Sequence, residues 1–389
     1  MDVKQIDDFV NTAVEEALGE SGLVAEDLSN VVDVGNAVFN ANAVDRYVKA
    51  IINKIGKTIV VNRPYGGGAP KGVLRDGWEF GSVLEKIAVE IPTASSNQSW
   101  ELTDGVSYDP NIFVAPKVYA KFYNERTTFE IKISIAEMQV KQSFTSATQL
   151  GAFVSAIYTS VENALTIMRD ELIMKTINNM TAETLYSEYS GSGYGSDSKV
   201  KAVNLLYLYN QTLATPITST DALTDPGFVR FASYILNLYA SRMRRISTLF
   251  NVGGRERFTP DDRRITVLHS DFVASAKAYL YATTFNDEFS RLPDNYSEVP
   301  YWQGSGTGYD FTDTSALDVV TAEGHTVQID GIIGVMFDRD ALGVTNEDRR
   351  VTQNWNPVDE FINSWYKQTC GYYNDFNENF VCFFIKDAS

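Results

Sequence analysis

The sequence has few of the residues on which most enzyme and metal sites depend. Its 389 residues include two cysteines and two histidines. Cys370 and Cys382 cannot form a disulfide framework, and we interpret both as buried thiols. His269 and His325 have no neighbouring motif that supplies a nucleophile, and with the cysteines they lack the short ligand spacing of zinc sites. The sequence therefore predicts no catalytic residue, no metal ligand and no cofactor.

Positive charge and long apolar runs are also scarce. Lys and Arg total 33 against 50 Asp and Glu, which gives a net charge of −17. We set aside non-specific nucleic-acid binding, because the negatively charged phosphate backbone attracts positively charged proteins. No run of about 18 apolar residues is present, and the acidic start MDVKQIDDFV differs from a signal peptide. We expect a soluble protein that is made in a cytoplasm and does not contact a membrane.

The composition is otherwise that of a folded protein, with 44% hydrophobic and 12% aromatic residues. Hydrophobic spacing predicts two amphipathic helices within 1–57 and a β-rich arm at about 58–116. Strict alternation over 118–135 predicts a strand with one buried face. Apolar residues at intervals of three and four then predict a helix over about 146–180, some 50 Å long at about 1.5 Å per residue.

The second half of the chain predicts a mostly helical block between strands. A Ser/Gly/Tyr stretch at 187–198 is typical of a mobile loop. Asp225 followed by Pro226 is a typical helix start. A short strand at 265–268 precedes a helix from Asp271, and further strands are expected within 317–338 and 379–385. We interpret the helical block as an insertion into an α+β platform.

Two glycine-rich segments superficially resemble phosphate-binding loops. In PYGGGAPKG, Pro70 precedes Lys71 and Gly72 follows it, so the segment lacks the order that a phosphate loop requires. We interpret Gly66, Gly67 and Gly68 as a flexible loop tip. The GSGTG segment at 304–308 lacks the preceding strand and following helix of a dinucleotide site.

Carboxylates are abundant, and Asp338, Asp340, Asp375 and Glu378 form the most suggestive group. We interpret them as solvated turn and cap residues, although sequence alone neither identifies nor excludes a glycosidase-type acid/base pair. The aromatic side chains near the C-terminal end, which are Phe380, Phe383 and Phe384, are interpreted as core residues.

The order of the predicted elements and several local phrases resemble one protein family. The phrases are VYAKFYNERTTFEIKISIAEMQVKQSF at 118–144, TFNDEFSRLPDNYSEVPYWQGSG at 284–306, GVMFDRDALGV at 334–344 and YYNDFNENFVCFF at 372–384. Together they resemble the major capsid proteins of tailed bacteriophages with the Hong Kong 97-type fold, in particular those of phages that infect Gram-positive bacteria. This resemblance implies an α+β fold in five parts: an N-terminal arm with helices at 1–57, an extended loop at 58–116, a peripheral domain with a long spine helix at 117–184, an axial domain at about 185–325, and C-terminal strands of the peripheral domain at 326–389.

The same resemblance implies a structural protein whose partners are copies of itself. Such subunits form hexamers and pentamers of an icosahedral shell around double-stranded DNA, in a virion made in the cytoplasm of a bacterial host. A separate scaffolding protein and a portal are implied partners, and DNA would be packaged without sequence-specific binding. The net charge suggests an inner wall that repels DNA.

The extended loop is the segment that this resemblance places over a neighbouring subunit. The candidate interface residues in it are Arg63, Gly66, Gly67, Gly68, Lys71 and Arg75. The cations would face an otherwise acidic neighbour, so we expect reversal of Arg75 to Glu to impair assembly more than folding. No pair of residues for an isopeptide cross-link can be assigned.

Three alternatives remain open at this point. A cellular nanocompartment (encapsulin-like) shell has the same fold, but its chains resemble this one less in length and local phrases. A carbohydrate-active hydrolase would need a concave pocket with a carboxylate pair. A phage tail or adaptor component would form rings or tubes instead of closed shells.

Overall fold

The computed structural model describes most of the residues of the chain. They are 11, 14–15, 62–70, 72–75, 84–94, 104–105, 111, 113–136, 147–281, 292–303, 308–321 and 323–387. The predicted N-terminal helices lie outside them, apart from three helical positions at 11, 14 and 15. Lys71 and most of the GSGTG segment also lie outside the described residues.

Strands make up much of the described chain. Their bounds are β1 Leu74–Arg75, β2 Leu84–Val89, β3 Val118–Tyr123, β4 Arg126–Ala136, β5 Ala202–Asn204, β6 Arg264–His269, β7 Tyr296–Val299, β8 Leu317–Val320, β9 Thr326–Ile329, β10 Ile332–Asp338, β11 Leu342–Asn356, β12 Phe361–Asn374 and β13 Phe380–Phe384. They form a four-stranded sheet in the order β1-β11-β12-β4, a five-stranded sheet in the order β5-β13-β10-β6-β7, and two antiparallel two-stranded sheets, β2-β3 and β8-β9, which we call hairpins.

One long helix and several shorter ones complete the described fold. Their bounds are α1 Ala147–Tyr189, α2 Leu205–Asn210, α3 Ser219–Ala222, α4 Pro226–Met243, α5 Ser270–Tyr281 and α6 Phe311–Thr314. The predicted start of α4 is confirmed: Pro226 is in its first turn, and the Asp225 carboxylate accepts the Gly227 N–H at 2.9 Å. The helix predicted from Asp271 is also present as α5.

Helix α1 has 43 residues and is about 65 Å long at about 1.5 Å per residue. It continues nine residues beyond the predicted end and stops where Ser190 and Gly191 take positive φ values of 51° and 84°, a conformation typical of helix ends. Its C-terminal half is buried on most sides. Buried threonines there donate to carbonyl oxygens four residues earlier, as Thr181 does to Ile177 at 2.9 Å, so their hydroxyls are satisfied.

The chain divides into two compact units. The first contains the described residues of Met1–Tyr65, Ile133–Asn163 and Gln353–Ser364, and the second contains those of Gly66–Lys132, Ala164–Thr352 and Trp365–Ser389. In the first unit, the Asn163 side chain accepts the Tyr65 N–H at 2.7 Å and donates to the Arg63 carbonyl at 2.8 Å. One side-chain amide thereby fixes the local backbone at 63–65.

The core of the second unit lies on both faces of the five-stranded sheet. Successive residues of β13 alternate between two hydrophobic clusters: Phe380, Cys382 and Phe384 belong to the first, and Val381 and Phe383 to the second. This alternation follows from the two-residue period of a strand. The first cluster includes the C-terminal half of α1, and the second includes α4 and α5. Helices therefore cover both faces of the sheet, and the prediction that Phe380, Phe383 and Phe384 are core residues is confirmed.

Three sequence predictions differ from the structure in the bounds or the presence of an element. The alternating run at 118–135 forms two strands, β3 and β4, separated at Asn124 and Glu125. The family resemblance implies strands within 326–389, but the hydrophobic pattern predicts none at 342–374, where the long strands β11 and β12 lie. The predicted loop at 187–198 is helical up to Tyr189, and Tyr194 within it is 8% exposed and packs against Tyr189 and Phe384.

Candidate assembly interface

The hairpin β2-β3 has two faces of opposite chemical character. Its strands pair antiparallel, with Leu84 opposite Tyr123 and Val89 opposite Val118. Because side chains alternate along a strand, Lys86, Tyr119, Lys121 and Tyr123 share one face, and apolar side chains occupy much of the other. We call these the inner and outer faces of the hairpin.

The outer face exposes large apolar side chains to solvent. Ile87 is 61% exposed, Val89 54%, Val118 56% and Phe122 65%. Single exposed apolar residues are ordinary, but a contiguous group on one strand pair marks an interaction surface. The group continues beyond the strands, where further apolar residues are exposed: Ile91, Phe113 and Val114.

The inner face is held by ion pairs to the body of the second unit. Lys86 Nζ lies 2.6 Å from a carboxylate oxygen of Asp375 and 2.8 Å from one of Glu378. Lys121 Nζ lies 3.0 Å from the other oxygen of Asp375. The Asp375 side chain is only 2% exposed, whereas the Lys86 side chain is 21% exposed. Two lysines of the hairpin thus share one buried carboxylate.

Aromatic contacts on the inner face reinforce these pairs. The guanidinium groups of Arg255 and Arg257 lie 5.0 and 5.7 Å from the Tyr119 ring centroid, within range of a cation–π attraction. The rings of Tyr123 and Tyr373 are 5.2 Å apart. The hairpin is therefore attached through its charged and aromatic face, which leaves its apolar face outward.

The pKa shifts of this cluster have electrostatic causes. Burial raises the pKa of Asp375, but the charges of Lys86 and Lys121 and their hydrogen bonds outweigh it, so the pKa is below its ordinary value. Burial lowers the pKa of Lys86, but Asp375 and Glu378 raise it above its ordinary value. Both groups are therefore charged at neutral pH.

The expectation that the C-terminal carboxylates are solvated is wrong for Asp338, Asp375 and Glu378, whereas the Asp340 side chain is 31% exposed. Asp338 is 5% exposed and Asp375 is 1% exposed, because the arginines and lysines of other segments cover them. Asp338 does accept the Asp340 N–H at 2.9 Å, so the expected turn capping is present. Each carboxylate of the group contacts at least one cation: Asp338 contacts Arg263, Asp340 contacts Arg75 and Arg263, Asp375 contacts Lys86 and Lys121, and Glu378 contacts Lys86 and Arg257.

The described residues among those predicted for the interface each have local surroundings within the chain. Arg63 and Gly66 to Gly68 are exposed, and the Gly68 N–H donates to Asp170 of α1 at 2.7 Å. The glycines thus lie against the long helix and precede the hairpin, which begins at Leu84. Arg75 lies 3.1 Å from Asp340 and donates to the Arg339 carbonyl. Because Arg75 is engaged within its own chain, its reversal would also disturb folding, and its role between subunits stays a prediction.

The histidines and cysteines have separate structural surroundings. His269 is buried beside Phe311, and burial lowers its pKa. His325 stacks on Tyr186 with ring centroids 3.7 Å apart and lies 3.3 Å from Glu183. Cys370 and Cys382 are buried and free, as predicted. Burial raises the pKa of Cys370 to about 11, so its thiol is protonated at neutral pH.

Sequence reasoning missed the outer face of the hairpin. The phrase VLEKIAVEI does show Ile87, Val89 and Ile91 at alternate positions, which is the signal of an apolar face. That signal ordinarily predicts a buried face. Only the structure shows that Lys86 points toward the body and the apolar side chains point outward.

One comparison with known proteins identifies a family. The sequence profile of the Phi29-like phage major capsid proteins matches residues 10–384. No curated protein sequence matches the chain significantly.

The helices that the structure describes include none with the length and apolar character of a membrane span.

Solved structures show the same fold at low sequence identity. A chain in the capsid structure of Staphylococcus phage Andhra is 8% identical with a TM-score of 0.57, over 85% of this chain and 87% of that one. A chain in a structure of native bacteriophage P68, described for its head fiber and inner core protein gp22, is 11% identical with a TM-score of 0.55, over 85% of this chain and 88% of that one. The predicted α+β capsid fold is confirmed. Because the family profile spans nearly the whole sequence, the chain belongs to the Phi29-like phage major capsid protein family.

Proposed function

We propose that copies of this major capsid protein form hexamers and pentamers of an icosahedral shell that encloses double-stranded DNA. The observation that supports this proposal most is the apolar outer face of the hairpin β2-β3, with Phe122 65% and Ile87 61% exposed. In this proposal the outer face of one copy lies on a neighbouring copy. The role is structural and involves no catalysis.

The energetics of the hairpin support such a contact. Burying a large apolar side chain completely stabilises by about 1.5–3 kcal/mol, and the outer-face residues are half covered or less in the single chain. Each of the four would therefore add roughly 1 kcal/mol when a neighbour covers it. Since the inner face is already fixed by Lys86 and Lys121, little further ordering is needed on association.

The remaining partners follow from the same proposal. A separate scaffolding protein and a portal take part in assembly, and the chain is made in the cytoplasm of the bacterial host before it enters the virion. The DNA inside is held without sequence-specific contacts. The net charge of −17 supports an inner wall that does not grip the phosphate backbone.

Substitutions in the outer face test this proposal. The double variant Ile87→Asp and Phe122→Asp places charges where the neighbour would pack, and we expect it to fold but to lose closed particles. Val358→Asp is the matched control, because Val358 is 85% exposed and lies outside the hairpin. Electron microscopy of cells that express each variant with the scaffolding protein measures particle yield, and thermal unfolding measures folding.

The outcomes separate the proposed function from its alternatives. Closed spheres from the wild type and the control, with few or none from the double variant, support the proposal. Tubes from the wild type would support a tail component, and stable monomers would support a protein that acts alone. Normal spheres from the folded double variant would show that the outer face does not hold the shell together.

A further inference from the structure

Three exposed arginines lie at the C-terminal end of α4 in an otherwise acidic chain: Arg242, Arg244 and Arg245. Arg244 lies 3.0 Å from Asp261, with both side chains about half exposed. Arg242 and Arg245 make no ion pair with any residue that the structure describes. Cations at a helix C-terminus are favourable in themselves, so charge alone would not indicate a partner.

Apolar side chains beside these arginines do indicate a partner. Ile246 and Leu249 follow directly and are each 57% exposed. The helix dipole gives no reason for exposed apolar residues, whereas an interface combines apolar contact with arginines. We call Arg242, Arg245, Ile246 and Leu249 the arginine patch.

A groove elsewhere in the same unit has the complementary character. It has a volume of about 560 Å³, with Leu317 and Ile329 in its lining. Both of these side chains are buried, so they form an apolar floor. Asp310 and Asp318 also line the groove and are exposed. Within the part of the chain that the structure describes, neither carboxylate pairs with a cation. We call this the acidic groove.

The arginine patch lies beside the beginning of β13. Asn379, the residue before this strand, donates to the Thr259 hydroxyl at 3.1 Å. The Thr259 N–H in turn donates to the carbonyl of Met243, the last residue of α4, at 2.7 Å. These two bonds tie the end of α4 to that end of the strand.

The acidic groove lies beside the other end of β13. The Ile385 N–H, just after the strand, donates to the Gly331 carbonyl at 2.8 Å. Lys386 and Asp330 pair with each other and both line the groove. A five-residue strand is about 17 Å long, so the two surfaces lie at opposite ends of one central strand.

We propose that the arginine patch of one copy docks into the acidic groove of the next copy. Two different surfaces at opposite ends of one strand make a head-to-tail contact, and a repeated contact of this kind closes into a ring when the rotations between copies add up to a full turn. Copies with a net charge of −17 repel one another on average. A local cationic surface attracts the acidic groove of another copy and so orients the two copies as they approach. This inference rests on the proposed function, since it concerns contacts within the assembled rings.

Charge reversal with rescue tests the contact. The patch variant is Arg242→Glu with Arg245→Glu, the groove variant is Asp310→Lys with Asp318→Lys, and the combined variant has all four changes. We expect each of the first two to lower the yield of closed particles at least about tenfold, because like charges at an interface cost several kcal/mol. The combined variant re-creates complementarity with the signs exchanged, and we expect a yield within about twofold of wild type.

A charge exchange at another exposed site is the control. Arg350→Glu with Asp348→Lys exchanges an exposed pair of β11 whose side chains are 56% and 53% exposed, and we expect normal yield. If the groove variant assembles normally and the combined variant does not recover, the arginine patch binds nucleic acid or another anionic partner. That result would overturn the inference. Normal assembly of both reversal variants would overturn it as well, while the proposed function would stand.

Cross-linking gives a second readout that does not depend on complete shells. We would join Arg245→Cys and Asp318→Cys in one chain with a short bismaleimide; the native thiols Cys370 and Cys382 are buried and should not react. A head-to-tail contact predicts a ladder of covalent oligomers that ends at the ring size. Products that stop at the dimer, or monomers alone from a sample that still forms rings, would contradict it.

Discussion

Asp375 is the single residue on which attachment of the hairpin depends most. Its side chain is 2% exposed and lies within 3.0 Å of both Lys86 and Lys121. Removing its charge takes one ion-pair partner from each lysine, although Lys86 keeps Glu378 at 2.8 Å, and losing one partner of a buried pair is costly.

We therefore expect Asp375→Asn to lower the free energy of unfolding by about 3 kcal/mol, the low end of the range for such a loss. Urea unfolding provides the measurement. The matched control is Asp348→Asn, which breaks an exposed pair and should cost less than about 1 kcal/mol. Equal losses in the two variants would show that the buried pair does not anchor the hairpin.

The same carboxylate predicts a pH dependence. The pKa of Asp375 in the folded chain is below its ordinary value of about 3.9, so its stabilising effect is complete above about pH 4 and is lost as the pH falls through the folded value. The pKa of Asp338 is raised by burial, which acts in the opposite direction. Urea midpoints between pH 2 and pH 6 should fall more steeply in the wild type than in Asp375→Asn, whereas parallel curves would refute the assignment.

Lys86 shows why the contacts of the C-terminal carboxylates could not be predicted from the sequence. Its partners Asp375 and Glu378 are close together in the sequence and were recognised as a group. No local pattern connects them to a lysine almost 300 positions earlier, because the contact depends on the tertiary fold. The carboxylates were therefore expected in solvent.

Among the secondary-structure elements, strands with a regular alternation of apolar and polar residues could be predicted from the sequence. Strands without that alternation could not. In β4, Phe129, Ile131 and Ile133 are partly buried while the polar residues between them are exposed, as alternation predicted. In β12, Ser364 and Gln368 occupy buried positions together with Tyr366 and Cys370. Polar residues on the buried face erase the apolar alternation, so the hydrophobic pattern does not predict this strand and only the family resemblance implies it.

Helix α1 offers a test of its own packing. Ile177 is fully buried and Ile167 is 47% exposed in the same helix. We expect Ile177→Ala to lower the free energy of unfolding by about 3 kcal/mol through lost contacts and a cavity, and Ile167→Ala by less than about 1 kcal/mol. Chemical denaturation compares the two. Similar costs at both sites would mean that the C-terminal half of the helix is not part of the core.

For the molecule as a whole, the fold and family could be predicted from the sequence, but the pairing of its cations and the exposure of its apolar side chains could not. The order of elements and the phrases at 118–144 and 372–384 indicated a capsid protein, and the family profile over residues 10–384 agrees. Arg75, one of the predicted interface cations, forms an ion pair within the chain, and its role between subunits stays a prediction. Composition shows that cations are scarce, but it does not show which of them remain unpaired after folding.

In this proposal the chain leaves apolar surface exposed for copies of itself. The decisive measurement is electron cryo-microscopy of particles from cells that express the chain with its scaffolding protein. We expect closed icosahedral shells in which Ile87 and Phe122 of each copy are covered by a neighbouring copy. Particles whose hairpin faces only solvent at these two side chains, or a chain that stays monomeric under all assembly conditions, would contradict the proposal.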